Sequence, residues 1–289
     1  MKLNIATGQF PIDGNIRNNL RHIESLLRKA KRRQAHLVHL PECCLSGYAG
    51  FEFESFTDYD WELLRQSMQC VMNMARSLRL WVIVGSSHYL SPKLKPHNSL
   101  YIINDKGRLI DRYDKMFCTG GDDRADLKHY SPGDHFTTFE VRGIKCGTLI
   151  CYDSRFPELY REYKRRGVQV MFHSYYHRHI AVENSNTEPN ILGVITPPTM
   201  QTYAACNAVW ISACNTSARQ SAWASFVVHP DGVIACHLRR NRAGLLVTTV
   251  DTNRKFYDAP GTWRHRALSG VNHSGELVSH ERSRIRTEL

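Results

Sequence analysis

The run G-T-L-I-C-Y-D-S-R-F-P-E, from Gly147 to Glu158, decides how this chain is read. A short strand-like segment, Thr148-Leu149-Ile150, delivers Cys151 into a turn. A helical pattern carrying Phe156, Leu159, Tyr160 and Tyr163 begins almost at once. A thiol at a strand end beside a helix N-terminus meets backbone N–H groups and the positive end of the helix dipole. Both favour a thiolate and can hold an oxyanion. Free cysteines are also among the most buried residue types and often act as plain core residues. Placement alone leaves both readings open.

Two further segments bear on the choice. Pro41-Glu42 closes the apolar run Leu37, Val38, Leu40 inside L-P-E-C-C-L-S-G-Y, Leu40 to Tyr48. Lys115 ends R-L-I-D-R-Y-D-K, Arg108 to Lys115, where a strand-like segment gives way to a loop. A base, a cation and a thiol at the ends of separate strands are what nucleophilic acyl transfer needs, if those strands lie side by side. Taken singly, Glu42 reads as a helix cap or ordinary ion pair, and Lys115 as a solvated surface residue.

The motifs C-Y-D-x-R-F-P-E, P-E-x-x-L-S-G-Y and Y-D-K together resemble the nitrilase superfamily, the carbon–nitrogen hydrolases with a Glu-Lys-Cys triad. The likeness runs over nearly the whole chain. It implies an α/β protein built as a four-layer α-β-β-α sandwich. One domain would span 1–289, its tail from about 255 engaged in packing or oligomer contacts. It further implies a homodimer or larger assembly, and no metal or organic cofactor, because a thioester route uses only protein groups and water.

The same resemblance assigns roles. Cys151 would be the nucleophile. Glu42 would take the thiol proton, give it to the departing nitrogen and then activate water, which calls for a buried carboxylate of raised pKa. Lys115 would face the substrate oxygen, with the backbone N–H of Tyr152 as second donor. The family's second glutamate falls in A-D-L-K-H-Y-S-P-G, Ala125 to Gly133, where this chain has Asp126, one methylene shorter. Tyr48 would pack beside the site, and His173 and Ser174 would line the pocket. Asp153, Arg155 and Glu158 would support the turn, Arg155 alternatively binding an acidic substrate. Two segments depart from the family pattern: Tyr203 stands where an arginine is usual, and S-A-W-A-S, Ser221 to Ser225, replaces G-x-S. Cys151-Tyr152-Asp153 looks more like the amidase and N-carbamoylase branches than the true nitrilases, which tend to carry tryptophan after the cysteine. The expected substrate is therefore a small-molecule amide or N-carbamoyl compound. A nitrile substrate, or a non-catalytic scaffold binding an acyl metabolite, are the alternatives.

Composition bounds the rest. In 289 residues, 42% of them hydrophobic, no Pro/Gly/Ser-rich linker divides the chain, so one domain with a substantial core is expected. M-K-L-N-I-A-T-G-Q-F reads as a first strand, too short and polar for a signal peptide, and no apolar stretch approaches the roughly 18 residues of a membrane span. No membrane association is expected. The nine cysteines are scattered, odd in number and without a C-x-x-C pair, which fits a reducing, cytoplasmic setting. His173, His177 and His179 lack a cysteine or carboxylate at ligand spacing, so the segment is expected to be a His-rich loop near the pocket rather than a metal site. Net charge is +11, with basic clusters at 28–33, 164–166 and 239–242. The first two fall at predicted helix ends, where cations complement the dipole, and no nucleic-acid-binding motif accompanies them. No nucleic-acid partner is expected.

The pattern alternates strands and helices, which by itself implies sheets covered by helices. Predicted strands lie at 3–10, 37–40, 81–84, 100–103, 108–113, 145–150, 168–172, 209–213, 223–228 and 245–250. Helices are expected from Ile16 to Ala30 with Asp13 or Asn15 as cap, from about Trp61 to Arg76, after Cys151, and near Met200 to Asn207. The stretch from His173 to Pro198, with Glu183, Asn184, Asn186 and Glu188, reads as a long irregular segment that shapes specificity.

Overall fold

The computed structural model describes residues 1–120, 126–178 and 190–287. Its first half runs β1 (Lys2–Gln9), α1 (Ile16–Arg32), β2 (Leu37–His39), α2 (Trp61–Leu78), β3 (Trp81–His88), β4 (His97–Ile103), β5 (Leu109–Asp114) and α3 (Asp126–His129). The second half runs β6 (Thr138–Val141), β7 (Ile144–Ile150), α4 (Pro157–Arg165), β8 (Val170–Ser174), α5 (Ile191–Asn207), β9 (Trp210–Cys214), β10 (Phe226–Val228), β11 (Ile234–His237) and β12 (Gly244–Asp251). The strands form two six-stranded sheets, ordered β12-β1-β2-β3-β4-β5 and β11-β10-β9-β8-β7-β6.

Alternation along the strands explains the layering. In the first sheet Leu37, Ile83, Leu100 and Ile102 join a core with Leu149, Phe172 and Ile211 of the second sheet. Their neighbours Val38, Val82, Val84 and Ile103 instead pack with Ile23, Leu27 and Ala30 of α1 and Leu64, Val71 and Ala75 of α2. A strand with both faces covered must be apolar at successive positions, which is how these segments read. On the far side, Leu159, Tyr160 and Tyr163 of α4 and Met200 and Ala204 of α5 pack on the second sheet. The result is a four-layer α-β-β-α sandwich.

Local signals set the element ends. Asn15 caps α1 by accepting from Arg17 N and Asn18 N, while Lys29, Lys31 and Arg32 occupy its last turn. The α4 helix likewise ends on Lys164 and Arg165. Two features differ from the sequence-based expectation. The α5 helix begins at Ile191 rather than near Met200 and carries Pro197 and Pro198 inside it. Burial of Thr196, Met200 and Ala204 against the sheet, with Asn190 Nδ2 donating to Ala222 O (3.0 Å), outweighs the donors those prolines remove. The four-residue edge strand β6 was not predicted. Beyond 255 the described residues form two short helices, the half-buried α6 (Arg264–Leu268) and the exposed α7 (Glu281–Arg284), and Arg264 Nε donates to Cys206 O. Among the described residues no helix is long and apolar enough to cross a membrane.

Candidate active site

Beyond the C-terminal ends of β2, β5 and β7 stand Glu42, Lys115 and Cys151, all buried. Cys151 opens the turn after β7 with a φ of 46°, in the left-handed region. A non-glycine residue held there costs about 1–3 kcal/mol, and such strain gathers at functional sites. Asp153 holds the turn in place. Its carboxylate accepts from Ile150 N (3.0 Å), from Tyr113 OH (2.7 Å) and from Phe117 N (2.9 Å), two residues past Lys115. Burial holds that carboxyl up to about 6.

Glu42 is delivered by a close passage of backbone. A Cβ on Gly85 of β3 would lie 2.2 Å from Pro41 O and 2.6 Å from Cys43 N, so only glycine lets β3 run against the segment that carries Glu42. Glu42 Oε1 accepts from Asn98 Nδ2 (2.8 Å) and Lys115 Nζ (3.0 Å). Oε2 is buried and has no hydrogen-bond partner among the described residues.

Lys115 Nζ also donates to Asp126 Oδ2 (2.7 Å) and Thr119 Oγ1 (3.1 Å). Burial pulls its pKa down, but the Glu42 and Asp126 carboxylates more than offset this and hold it well above the ordinary lysine value. One buried ammonium thus lies between two carboxylates, and their environments pull them apart. Burial pushes Asp126 up, yet Lys115, the Thr119 N–H (2.8 Å) and the Tyr48 hydroxyl bring it below the usual carboxylate range. Burial dominates at Glu42, with Asp126 adding to it, so Glu42 is raised. Asp126 is therefore the standing counter-ion of Lys115, and Glu42 is the group able to carry a proton. Thiolate character at Cys151, expected from the helix start and the lysine, is opposed by the residue's burial. Burial, reinforced by Glu42, pushes the thiol well above its ordinary value despite Lys115.

A cavity of about 200 Å³ opens over Cys151, lined among others by Tyr48, Asp126, Tyr152, Arg155 and His177. Of the residues singled out from sequence, His173 and Ser174 do not line it. Ser174 Oγ donates to Leu40 O (2.8 Å) and pairs with His39 Nε2 (2.9 Å), in a polar string between the sheets. His173 Nδ1 meets Tyr160 OH (2.7 Å), and its ring stacks on Tyr175. The reason is that β8 is buried throughout and the cavity lies past its end, where Tyr176 and His177 emerge. Asp153 likewise faces the turn backbone, and Glu158 is exposed on the first turn of α4. Tyr203, in the place of the family arginine, donates to Ser154 O (3.0 Å) and so braces the same turn.

Sequence reasoning missed Asn98, Thr119 and Trp223, and placed His177 near the pocket without a role. His177 Nε2 lies 3.3 Å from Cys151 Sγ, and Trp223 Nε1 donates to His177 Nδ1 (3.0 Å). The aromatic-rich run F-H-S-Y-Y-H was a signal that something was packed there, but not which histidine. Among the described residues no cluster of three His, Cys, Asp or Glu is arranged for a metal ion. His179 and the 183–188 positions lie outside the described residues.

The profile described as carbon-nitrogen hydrolase matches residues 4–255. The chain belongs to the carbon–nitrogen hydrolase family. Among similar curated proteins, an omega-amidase of Mus musculus is 31% identical over 172 residues, covering 58% of this chain and 61% of that protein. An omega-amidase of Saccharomyces cerevisiae is 30% identical over 164 residues, covering 54% and 56%. Nitrilase homolog 2 of Dictyostelium discoideum is 28% identical over 166 residues, covering 55% and 48%. The chain thus matches about half to six-tenths of the length of these relatives. Among solved structures, an amidase of Nesterenkonia superposes with a TM-score of 0.73 at 19% identity, covering 93% of this chain and 96% of that one. The glutamine-dependent NAD+ synthetase of Acinetobacter baumannii gives 0.70 at 18% identity, covering 88% and 46%. These likenesses in fold agree with the sandwich described above. In this family member the thiol of Cys151 and the carboxylate of Asp126 line a small cavity, and the fully buried Lys115 ammonium, bonded to Asp126, carries Glu42 on its other side.

Proposed function

We propose that this carbon–nitrogen hydrolase opens the C–N bond of a small amide through an acyl thioester on Cys151. The observation that carries the reading is Glu42: a fully buried carboxyl, raised in pKa, with one oxygen unpartnered in a site that also holds the thiol.

The steps balance as follows. Glu42 Oε2 takes the Sγ proton while the sulfur bonds to the amide carbon. The electron pair displaced onto the carbonyl oxygen meets Lys115 Nζ and the Tyr152 N–H, a fully buried cation and a fixed dipole. As the oxyanion collapses, the C–N bond breaks and the nitrogen leaves with the proton from Glu42. Water then enters, gives a proton to Glu42 and attacks the thioester. The acid departs and Cys151 regains its proton. Amide plus water becomes carboxylic acid plus ammonia or amine, with nothing consumed from the protein. Asp126 keeps Lys115 charged and aimed, so that Glu42 need not supply its counter-ion.

The relatives support this choice of substrate class. Those of mouse and yeast are named omega-amidases. The Nesterenkonia amidase has been solved with butyramide and with covalent addition at its active-site cysteine. A cavity of about 200 Å³ suits acyl groups of that size. We take the working unit to be a homodimer or larger, supported by Ile191 and Val194, exposed apolar residues on α5. A reducing compartment is supported by nine cysteines without a disulfide among them.

The test is ammonia release from a panel of ω-amides, N-carbamoyl compounds and nitriles, with wild type, Cys151→Ala and Glu42→Gln in parallel. Turnover of amides that both substitutions abolish is the expected result. Silence of the wild type across the panel, or activity surviving in Cys151→Ala, would remove the proposal. Nitrile turnover without amide turnover would move it to the nitrilase branch.

A further inference from the structure

His177 is not one of the triad or its carboxylate partner, yet its ring is wedged between the reacting sulfur and an indole. The indole Nε1 of Trp223 is a donor only, and it donates to His177 Nδ1 at 3.0 Å. Nδ1 must therefore carry the lone pair, which leaves the ring proton on Nε2. That nitrogen lies 3.3 Å from Cys151 Sγ. We propose that His177 is a further catalytic residue, whose Nε2–H donates to the Cys151 sulfur, and that Trp223 is a positioning residue that locks the donor tautomer. This rests on Cys151 being the nucleophile.

The surroundings hold both partners rigidly. His177 N donates to Asn215 Oδ1 (2.7 Å), and Asn215 Nδ2 returns bonds to His177 O (3.1 Å) and Trp223 O (2.9 Å). Ala222 N donates to His177 O (3.0 Å). Asn215 thus ties the segment after β8 to S-A-W-A-S, the segment where this chain departs from the family pattern. Ionisable side chains that bear on Cys151 are Glu42 after β2, Lys115 after β5, Asp126 at the start of α3, Tyr48, and Tyr175 after β8. Burial, with smaller contributions from the Arg155 and Lys115 cations, holds the pKa of His177 down to about 3. The ring is thus neutral through the working pH range, so a thiolate–imidazolium pair is not formed. The sulfur's proton goes to Glu42, and the histidine keeps its own throughout. What the ring supplies is a fixed dipole that strengthens as charge builds on sulfur, both when the thiol is deprotonated and when the thioester breaks.

The experiment is the rate of Cys151 alkylation by iodoacetamide from pH 5 to 10, resolved from the other cysteines by peptide mass spectrometry, on the full chain. His177→Leu removes the donor, His177→Gln keeps an N–H of similar reach, and Trp223→Phe frees the tautomer. A hydrogen bond to a charged group implies that His177→Leu slows alkylation at neutral pH by about tenfold to hundredfold. His177→Gln should recover part of that loss, and Trp223→Phe should fall between wild type and leucine. With a substrate, the loss should fall on kcat rather than on KM. An unchanged profile in His177→Leu, or equal losses in the leucine and glutamine variants, would overturn the inference and leave the triad standing. If Cys151→Ala retains amide turnover, the nucleophile assignment itself fails, and this inference with it.

Discussion

Asp126→Asn is the substitution that most sharply separates the two carboxylates. Both contact the same ammonium, at 3.0 Å for Glu42 and 2.7 Å for Asp126, so their near oxygens lie no more than about 5.7 Å apart. At an effective dielectric of about 20, two unit charges at that distance repel by about 3 kcal/mol, or about two pKa units. Removing the Asp126 charge therefore lets Glu42 ionise at lower pH. The asparagine can be housed without a stranded donor, because its oxygen can keep Lys115 and Thr119 while the Tyr48 hydroxyl turns to accept from its amide. Glu42 must be deprotonated to accept the thiol proton, so the acid limb of kcat/KM reports its titration. In Asp126→Asn that limb should move down by about two pH units. The plateau should fall at least about tenfold, since Glu42 becomes the sole counter-ion of Lys115 and a weaker base. The assay is a pH–rate profile of amide hydrolysis with a thermal melt to confirm folding. An acid limb that stays in place, or moves up, would refute the idea that Asp126 sets the proton affinity of Glu42.

Three other outcomes follow from the same geometry. Gly85→Ala forces a methyl group into the backbone of Pro41 and Cys43, so it should cost about 1–3 kcal/mol in denaturant unfolding and lower kcat by displacing Glu42. Asp153→Asn must turn an amide N–H toward a backbone donor, which should cost about 1–3 kcal/mol. A carboxyl raised to about 6 gives stability that is complete below its unfolded pKa and lost as pH rises through about 6, and a stability–pH curve should show that loss in wild type but not in the variant. Arg155 is exposed at the cavity, so Arg155→Gln should raise KM for amides bearing a distal carboxylate several-fold and leave neutral amides nearly unchanged. Equal effects on both substrates would assign Arg155 to the turn alone.

The residues that sequence reading placed at strand ends are the ones the fold gathers, because each stands where an apolar run stops and a turn must follow. Leu37 to Leu40 before Glu42, and Leu149-Ile150 before Cys151, are buried strands whose ends can be seen in the pattern. The end of β8 could not be seen in this way. Aromatic residues continue through Tyr175 and Tyr176, so nothing marks Ser174 as the last paired residue, and the pocket position was assigned to His173 instead of His177. The prolines of α5 hid its first turns, since local propensity argues for a break that tertiary packing overrides. The divergence of Glu42 and Asp126 was also illegible. It depends on the Thr119 N–H and the Tyr48 hydroxyl reaching only one of them. The shorter side chain of Asp126 is met by backbone, for its own N–H donates to Thr119 O (3.2 Å) and draws the two segments together.

The central claim is a covalent acyl group on Cys151, and rapid-quench mass spectrometry reads it directly. Wild type mixed with a small amide and quenched in acid within milliseconds should show a peptide containing Cys151 heavier by the acyl group, and the adduct should decay as acid product appears. In Glu42→Gln the adduct should be absent or form at least about a hundredfold more slowly, for want of the base. Amide turnover with no adduct on Cys151 at any time, or an adduct that forms equally fast without the Glu42 carboxyl, would contradict the account.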